Sequence, residues 1–175
     1  MCEEHNLTNL TRRGIVGMAV GAGVLLSSAR ATFAAGPTPT TLCVMCIDHR
    51  FVVDGVDYFR RETAPEIEDF DLIAMAGASL AGEQTSRFPN EAPGFWEQVA
   101  AARALHPNIN KVIVLDHLTC GAYKEAFPNM PDERAKHQEV ADRVWKKFTA
   151  QNLGSDFFIL DDKTRQITRL WPLVK

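Results

Sequence analysis

An α/β fold with a mainly parallel central sheet flanked by helices is predicted by three features of this 175-residue chain. Strand-like and helix-like segments alternate three times. The run at residues 111–115 is almost purely aliphatic, as in strands buried on both faces of a parallel sheet. Two short β-prone runs around Asp161-Asp162-Lys163-Thr164 end the chain as a C-terminal hairpin.

The elements follow in order. Residues 41–47 are short, apolar and β-prone, which reads as a buried strand. Residues 54–62 have helical spacing, with Val56 and Phe59 on one side, and lead to a second strand over 71–76 closed by Gly77. Residues 78–94 read as loop because Gly82, Pro89, Pro93 and Gly94 interrupt them. A helix over 93–106 places Phe95, Val99, Ala102 and Leu105 on one face, and Pro107-Asn108 stops it. After the aliphatic strand come a short helix over 121–127 and a long one over 132–151. Val140, Val144 and Phe148 line the apolar side of the long helix, and Gly154 ends it. The hairpin strands are expected over 157–160 and 166–170.

Composition is that of a globular protein, with 46% hydrophobic and 23% charged residues. One domain fits the length. A net charge of −3 without a basic cluster beyond Arg60-Arg61 and Lys146-Lys147 argues against nucleic acid as a partner. Past residue 40 nothing approaches the roughly 20 apolar residues of a membrane span.

Residues 1–35 read as an export signal. Arg12-Arg13 precede a soft run rich in Gly, Ala and Val, and small residues follow, with cleavage after Ala31, Ala34 or Ala35. The stretch Thr11-Arg12-Arg13-Gly14 resembles the twin-arginine type, which exports folded proteins, so the expected location is periplasmic or secreted. Residues 36–40, with two prolines, form an extended linker to a domain over 41–175. Beyond the signal the chain keeps Cys43, Cys46 and Cys120. That odd number makes a poor disulfide framework and suits metal thiolates acquired before export.

Two constellations carry the chemistry. Cys46-Ile47-Asp48-His49-Arg50 ends the first strand, where alternation in an extended chain puts Cys46, Asp48 and Arg50 on one side. His117-Leu118-Thr119-Cys120-Gly121 ends the third strand and opens a helix. Sites in open parallel sheets form outside the carboxyl ends of strands, so both motifs are placed to meet. Cys46, His117 and Cys120 supply three zinc ligands and leave the fourth position for water, the catalytic form. Asp48 would orient the attacking hydroxide and Arg50 would hold Asp48 ionised. Two thiolates offset much of the metal's charge, so such a site should work better at alkaline pH. Cys43 faces the opposite side and reads as a small core residue rather than half of a redox pair. His49 reads as structural, Asp116 as a strand-end cap, and His106 and His137 as residues of helix ends or surfaces.

Cys-x-Asp-x-Arg followed by His-x-x-Cys-Gly resembles the defining motif pair of the β-class carbonic anhydrases. The resemblance extends from about residue 41 to residue 170. It implies zinc on Cys46, His117 and Cys120, a dyad of Asp48 and Arg50 at the fourth position, and Ala76 and Gly77 lining the substrate pocket. The implied activity is reversible hydration of CO2 to bicarbonate through zinc-bound hydroxide. Relatives that hydrolyse carbon disulfide or carbonyl sulfide share the scaffold, and a non-catalytic zinc-binding protein is a further alternative. Family members build the pocket across a dimer interface, which implies a homo-oligomer. Departures are Ala74-Met75 in place of the family's Arg-Asn, a longer gap between the motifs in residues 78–94, and no N-terminal helices ahead of the first strand.

Overall fold

The computed structural model describes residues 39–62 and 69–172. The predicted export signal and residues 36–38 of the predicted linker lie outside them. A five-stranded sheet has the order β2-β1-β3-β4-β5, formed by β1 (Thr41–Met45), β2 (Asp71–Ala74), β3 (Lys111–His117), β4 (Gly154–Leu160) and β5 (Ile167–Trp171). The first four strands are parallel and β5 returns antiparallel to β4, which is the predicted terminal hairpin. Among the described residues, four α-helices accompany the sheet: α1 (Val52–Glu62), α2 (Glu91–Leu105), α3 (Gly121–Ala126) and α4 (Glu133–Ala150).

All five residues of β1 are buried, because both faces of the sheet are covered. Alternation sorts the side chains. Leu42, Val44 and Cys46 pack with Phe95 and Val99 of α2 and with Val140, Val144 and Phe148 of α4. Cys43 and Met45 pack on the other face with Tyr58 and Phe59 of α1. Each fully buried aromatic such as Phe95 or Phe148 contributes about 1.5–3 kcal/mol through its apolar area. The chain lays β2 on one side of β1 and then crosses to place β3 on the other. The crevice beyond the carboxyl ends of β1 and β3 is therefore the switch point where parallel sheets form their sites.

Several expectations are corrected. Residues 78–82 are not loop: they form a 3-10 helix, Ala78–Gly82, buried at every position. Gly77 at φ 79 and Ala78 at φ 47 make the left-handed turn into it. β1 stops at Met45. Residues 49–51 form a 3-10 turn that runs into α1, so Asp48 and Arg50 do not belong to an extended segment. β3 continues two residues further than predicted and ends on His117 itself. Asn152, at φ 57, takes the left-handed position after α4, while Gly154 opens β4. Leu105, expected on the buried face of α2, is 74% exposed at its last turn.

Candidate metal centre

Cys46 follows the last residue of β1, His117 closes β3, and Cys120 caps the N-terminus of α3. Pairing of Met45 with Leu115 sets the two strand ends side by side. Thr119, at φ 60, is a β-branched residue in left-handed conformation. That turn brings Cys120 back toward His117, and Thr119 Oγ1 holds it by donating to Asp162 Oδ2 at 3.0 Å. One ligand atom from each of Cys46, His117 and Cys120 lies within 4.8 Å of the others, and all three residues are buried. The group can hold a metal ion.

The surroundings fit a metal. His117 Nδ1 bonds the Leu118 carbonyl at 2.8 Å, which fixes the tautomer with its proton on Nδ1. The lone pair is then on Nε2, which is buried and without a hydrogen-bond partner. Gly77 N–H donates to Cys46 Sγ at 3.3 Å, and Cys120 N–H donates to Glu133 Oε1 at 3.1 Å. The two sulfurs stand 4.0 Å apart. The hydrogen bond between the two sulfurs lowers the Cys46 thiol and raises that of Cys120. Burial works against the imidazolium of His117, yet the Cys46 thiolate and the Leu118 carbonyl hold it above its usual value. Two cysteine sulfurs and an imidazole in one buried cluster are a donor set that suits a tetrahedrally bound metal such as zinc.

Asp48 stands beside this group, with Oδ2 3.9 Å from His117 Nε2. Arg50 grips it: Nη2 lies 2.6 Å from Oδ2 and Nε 3.0 Å from Oδ1. This fork, more than any other contact, lowers the Asp48 carboxyl to about 2. Phe51 packs its ring 4.4 Å from the His117 ring and carries the guanidinium groups of Arg50 and Arg165 over itself, each at 4.9 Å. A small cavity of about 10 Å3, room for little more than a water molecule, lies against the metal group and is lined by Met45, Cys46, Phe51, Leu115, Asp116, His117 and Leu160. Ala76 is half-buried, and the neighbouring Gly77 is committed to Cys46.

The remaining predicted residues separate clearly. Cys43 is fully buried on the opposite face, and burial drives its thiol far above the ordinary range. His49 projects into solvent with a side chain 94% exposed. His106 pairs with Asp71 at 2.7 Å, away from the site. His137 is corrected: it is fully buried, not on a surface, and bonds Asp116 at 2.8 Å. Asp116 is likewise no simple strand-end cap but a buried hub that also receives Ser79 and Tyr123. Sequence reasoning missed Glu133, Ser79 and Tyr123. Only the helix-start position of Glu133 carried any signal.

The fold and site define an α/β protein of β-carbonic-anhydrase architecture with a Cys-His-Cys group able to bind metal. Two solved structures share that fold. A β-carbonic anhydrase isoform of Trichomonas vaginalis superposes with a TM-score of 0.51 at 11% identity, over 77% of this chain and 85% of that one. A carbonic anhydrase of Glaciozyma antarctica gives 0.50 at 14% identity, over 80% and 86%. No family model matches the chain. By sequence, the chain belongs to the family of an uncharacterized protein of Rickettsia bellii, to which it is 32% identical over 147 residues, 76% of this chain and 84% of the relative.

Proposed function

We propose that this protein is a zinc enzyme that hydrates CO2 reversibly to bicarbonate, with one ion on Cys46, His117 and Cys120. The observation that carries the reading is the Asp48–Arg50 pair, 3.9 Å from the free nitrogen of His117. Both Asp48 oxygens are engaged by the guanidinium fork, so the carboxylate is held as a neighbour of the ion rather than released to become a fourth ligand. Bound there, zinc supplies a Lewis acid that makes water acidic near neutral pH.

The chain's own residues do the rest. Asp48, kept ionised by Arg50, would accept a hydrogen bond from a water or hydroxyl held beside His117 and so orient it. Met45, Phe51, Leu115 and Leu160 place apolar side chains around the small cavity beside the metal group, surroundings that disfavour a charged substrate more than an uncharged one. Gly77 N–H fixes the Cys46 sulfur, and Ala76, which precedes it, is read with it as part of the substrate pocket. The protein is read as exported to the periplasm or beyond through residues 1–35, and as a homo-oligomer. Fractionation of Arg12→Lys/Arg13→Lys cells tests the first, and light scattering of the mature chain tests the second.

The deciding experiment is stopped-flow CO2 hydration by the zinc-loaded mature protein from neutral to alkaline pH. Turnover that rises with pH and is lost in Asp48→Ala is expected. Inertness toward CO2 with activity on carbon disulfide or carbonyl sulfide would move the substrate to those linear molecules. Inertness toward all three, with one zinc per chain, would make it a binding protein.

A further inference from the structure

Asp116, Ser79, Tyr123 and His137 form a polar cluster in the core, each at most 1% exposed. Asp116 Oδ2 accepts from Ser79 Oγ at 2.6 Å, His137 Nδ1 at 2.8 Å and Tyr123 OH at 3.3 Å, while Oδ1 accepts from Ser79 N–H at 2.9 Å. Ser79 has one hydroxyl proton, directed at Asp116, so the single Tyr123 hydroxyl proton is shared between Ser79 Oγ at 2.7 Å and Asp116 Oδ2 at 3.3 Å. The Tyr123 and His137 rings stack with centroids 3.5 Å apart. Ser79 is no nucleophile in this arrangement: its proton goes to the carboxylate, not to the histidine, and solvent does not reach it.

The cluster joins four segments, and each carries a group that touches the metal ligands. Asp116 precedes His117 on β3. Ser79 lies two residues after Gly77, whose N–H holds Cys46 Sγ. Tyr123 lies three residues after Cys120 on α3, and His137 lies one helical turn after Glu133, which accepts the Cys120 N–H. A buried carboxylate with four donors is costly to assemble, and an apolar plug of the same shape would stabilise the core as well. What the polar version adds is a fixed mutual register of the four segments.

We infer that Asp116, through Ser79, Tyr123 and His137, is a positioning residue that sets the three ligand atoms of Cys46, His117 and Cys120 for the metal. This rests on the metal reading above, and cobalt(II) titration of the metal-free full chain separates the two. The probe is cobalt alone, read by thiolate-to-cobalt charge-transfer absorption and by ligand-field bands. Wild type binds with both signatures. Asp116→Asn turns an amide N–H2 toward at least one donor, and it weakens cobalt binding about 10- to 100-fold and shifts the bands. Tyr123→Phe keeps the shape, acts in the same direction more weakly, and carries the test if Asp116→Asn does not fold. Phe148→Leu, on the same helix α4 but in the apolar core, lowers stability without moving affinity or spectrum. The inference is overturned if Asp116→Asn and Tyr123→Phe titrate as wild type does, or if Phe148→Leu weakens cobalt binding equally. Absence of charge-transfer bands in wild type would overturn the metal reading itself, and the positioning role with it.

Discussion

Arg50 meets Asp48 through three atoms, its backbone N–H at 3.1 Å and both sides of its guanidinium fork, because a 3-10 turn folds residue 50 back over residue 48. The carboxylate is thereby held in one orientation beside His117 and kept ionised. Arg50→Ala should retain zinc, since none of the ligands changes, and lose turnover by about 100-fold. Metal analysis alongside stopped-flow hydration reads both halves.

The same pair sets an acid limb. Asp48 is depressed from its ordinary 3.8 to about 2, so its contribution to stability is present above pH 4 and is lost as pH falls through about 2. Melting temperatures of wild type and Arg50→Ala should differ by a constant amount above pH 5. The gap should close between about pH 4 and pH 2. A gap that persists at the lowest pH would assign the difference to packing on Phe51 instead.

Cys120→Ser should lose zinc and with it much of the stability. An ion held on Cys46 and Cys120 would tie the end of β1 to the start of α3, and metal-binding energy of this kind is folding energy. Zinc per chain and the thermal midpoint with and without chelator are the measurements. In the variant, chelator should no longer shift the midpoint.

Gly77→Ala should destabilise the protein by about 1–3 kcal/mol. A Cβ there would lie 2.8 Å from Leu80 Cβ, in a backbone with φ +79, so the buried 3-10 helix must move. The shift also takes the amide away from Cys46 Sγ, so urea unfolding should be accompanied by weaker metal retention.

Phe148→Ala should cost about 3–5 kcal/mol through the cavity it leaves among Phe95, Trp96 and Phe157. Its zinc content should stay that of wild type, because the cavity lies between α4 and the sheet rather than at the strand ends. Denaturant unfolding and metal analysis check the pair of outcomes.

The architecture was legible where burial imposes a pattern. Lys111 to Leu115 could hardly be anything but a central strand, and Val140, Val144 and Phe148 mark the inner face of α4 by spacing alone. The grouping of Cys46, His117 and Cys120 was legible from the two short motifs at the ends of neighbouring strands, which the parallel sheet brings together. Residues 78–82 were not legible, because Ala-Ser-Leu-Ala-Gly has no period long enough to separate a buried 3-10 turn from loop. Asp116 and His137 were hidden more deeply. Polar residues default to the surface unless a partner is known, and their partners lie on segments far away in the chain. Asp48 and Arg50 were paired for the wrong geometric reason: a tight turn, not an extended strand, brings them together.

Cys46 and Cys120 are 74 residues apart in the chain, whereas His117 and Cys120 are near neighbours. An unfolded chain can therefore offer a metal two of the donors, but the third arrives only when β1 has found β3. Closing that long loop is slow and entropically costly compared with forming any helix of the molecule. The full two-sulfur absorption of a bound cobalt ion would thus act as a clock for one event in refolding, the docking of the two central strands. Helical circular dichroism, dominated by α2 and α4, would be free to run ahead of it.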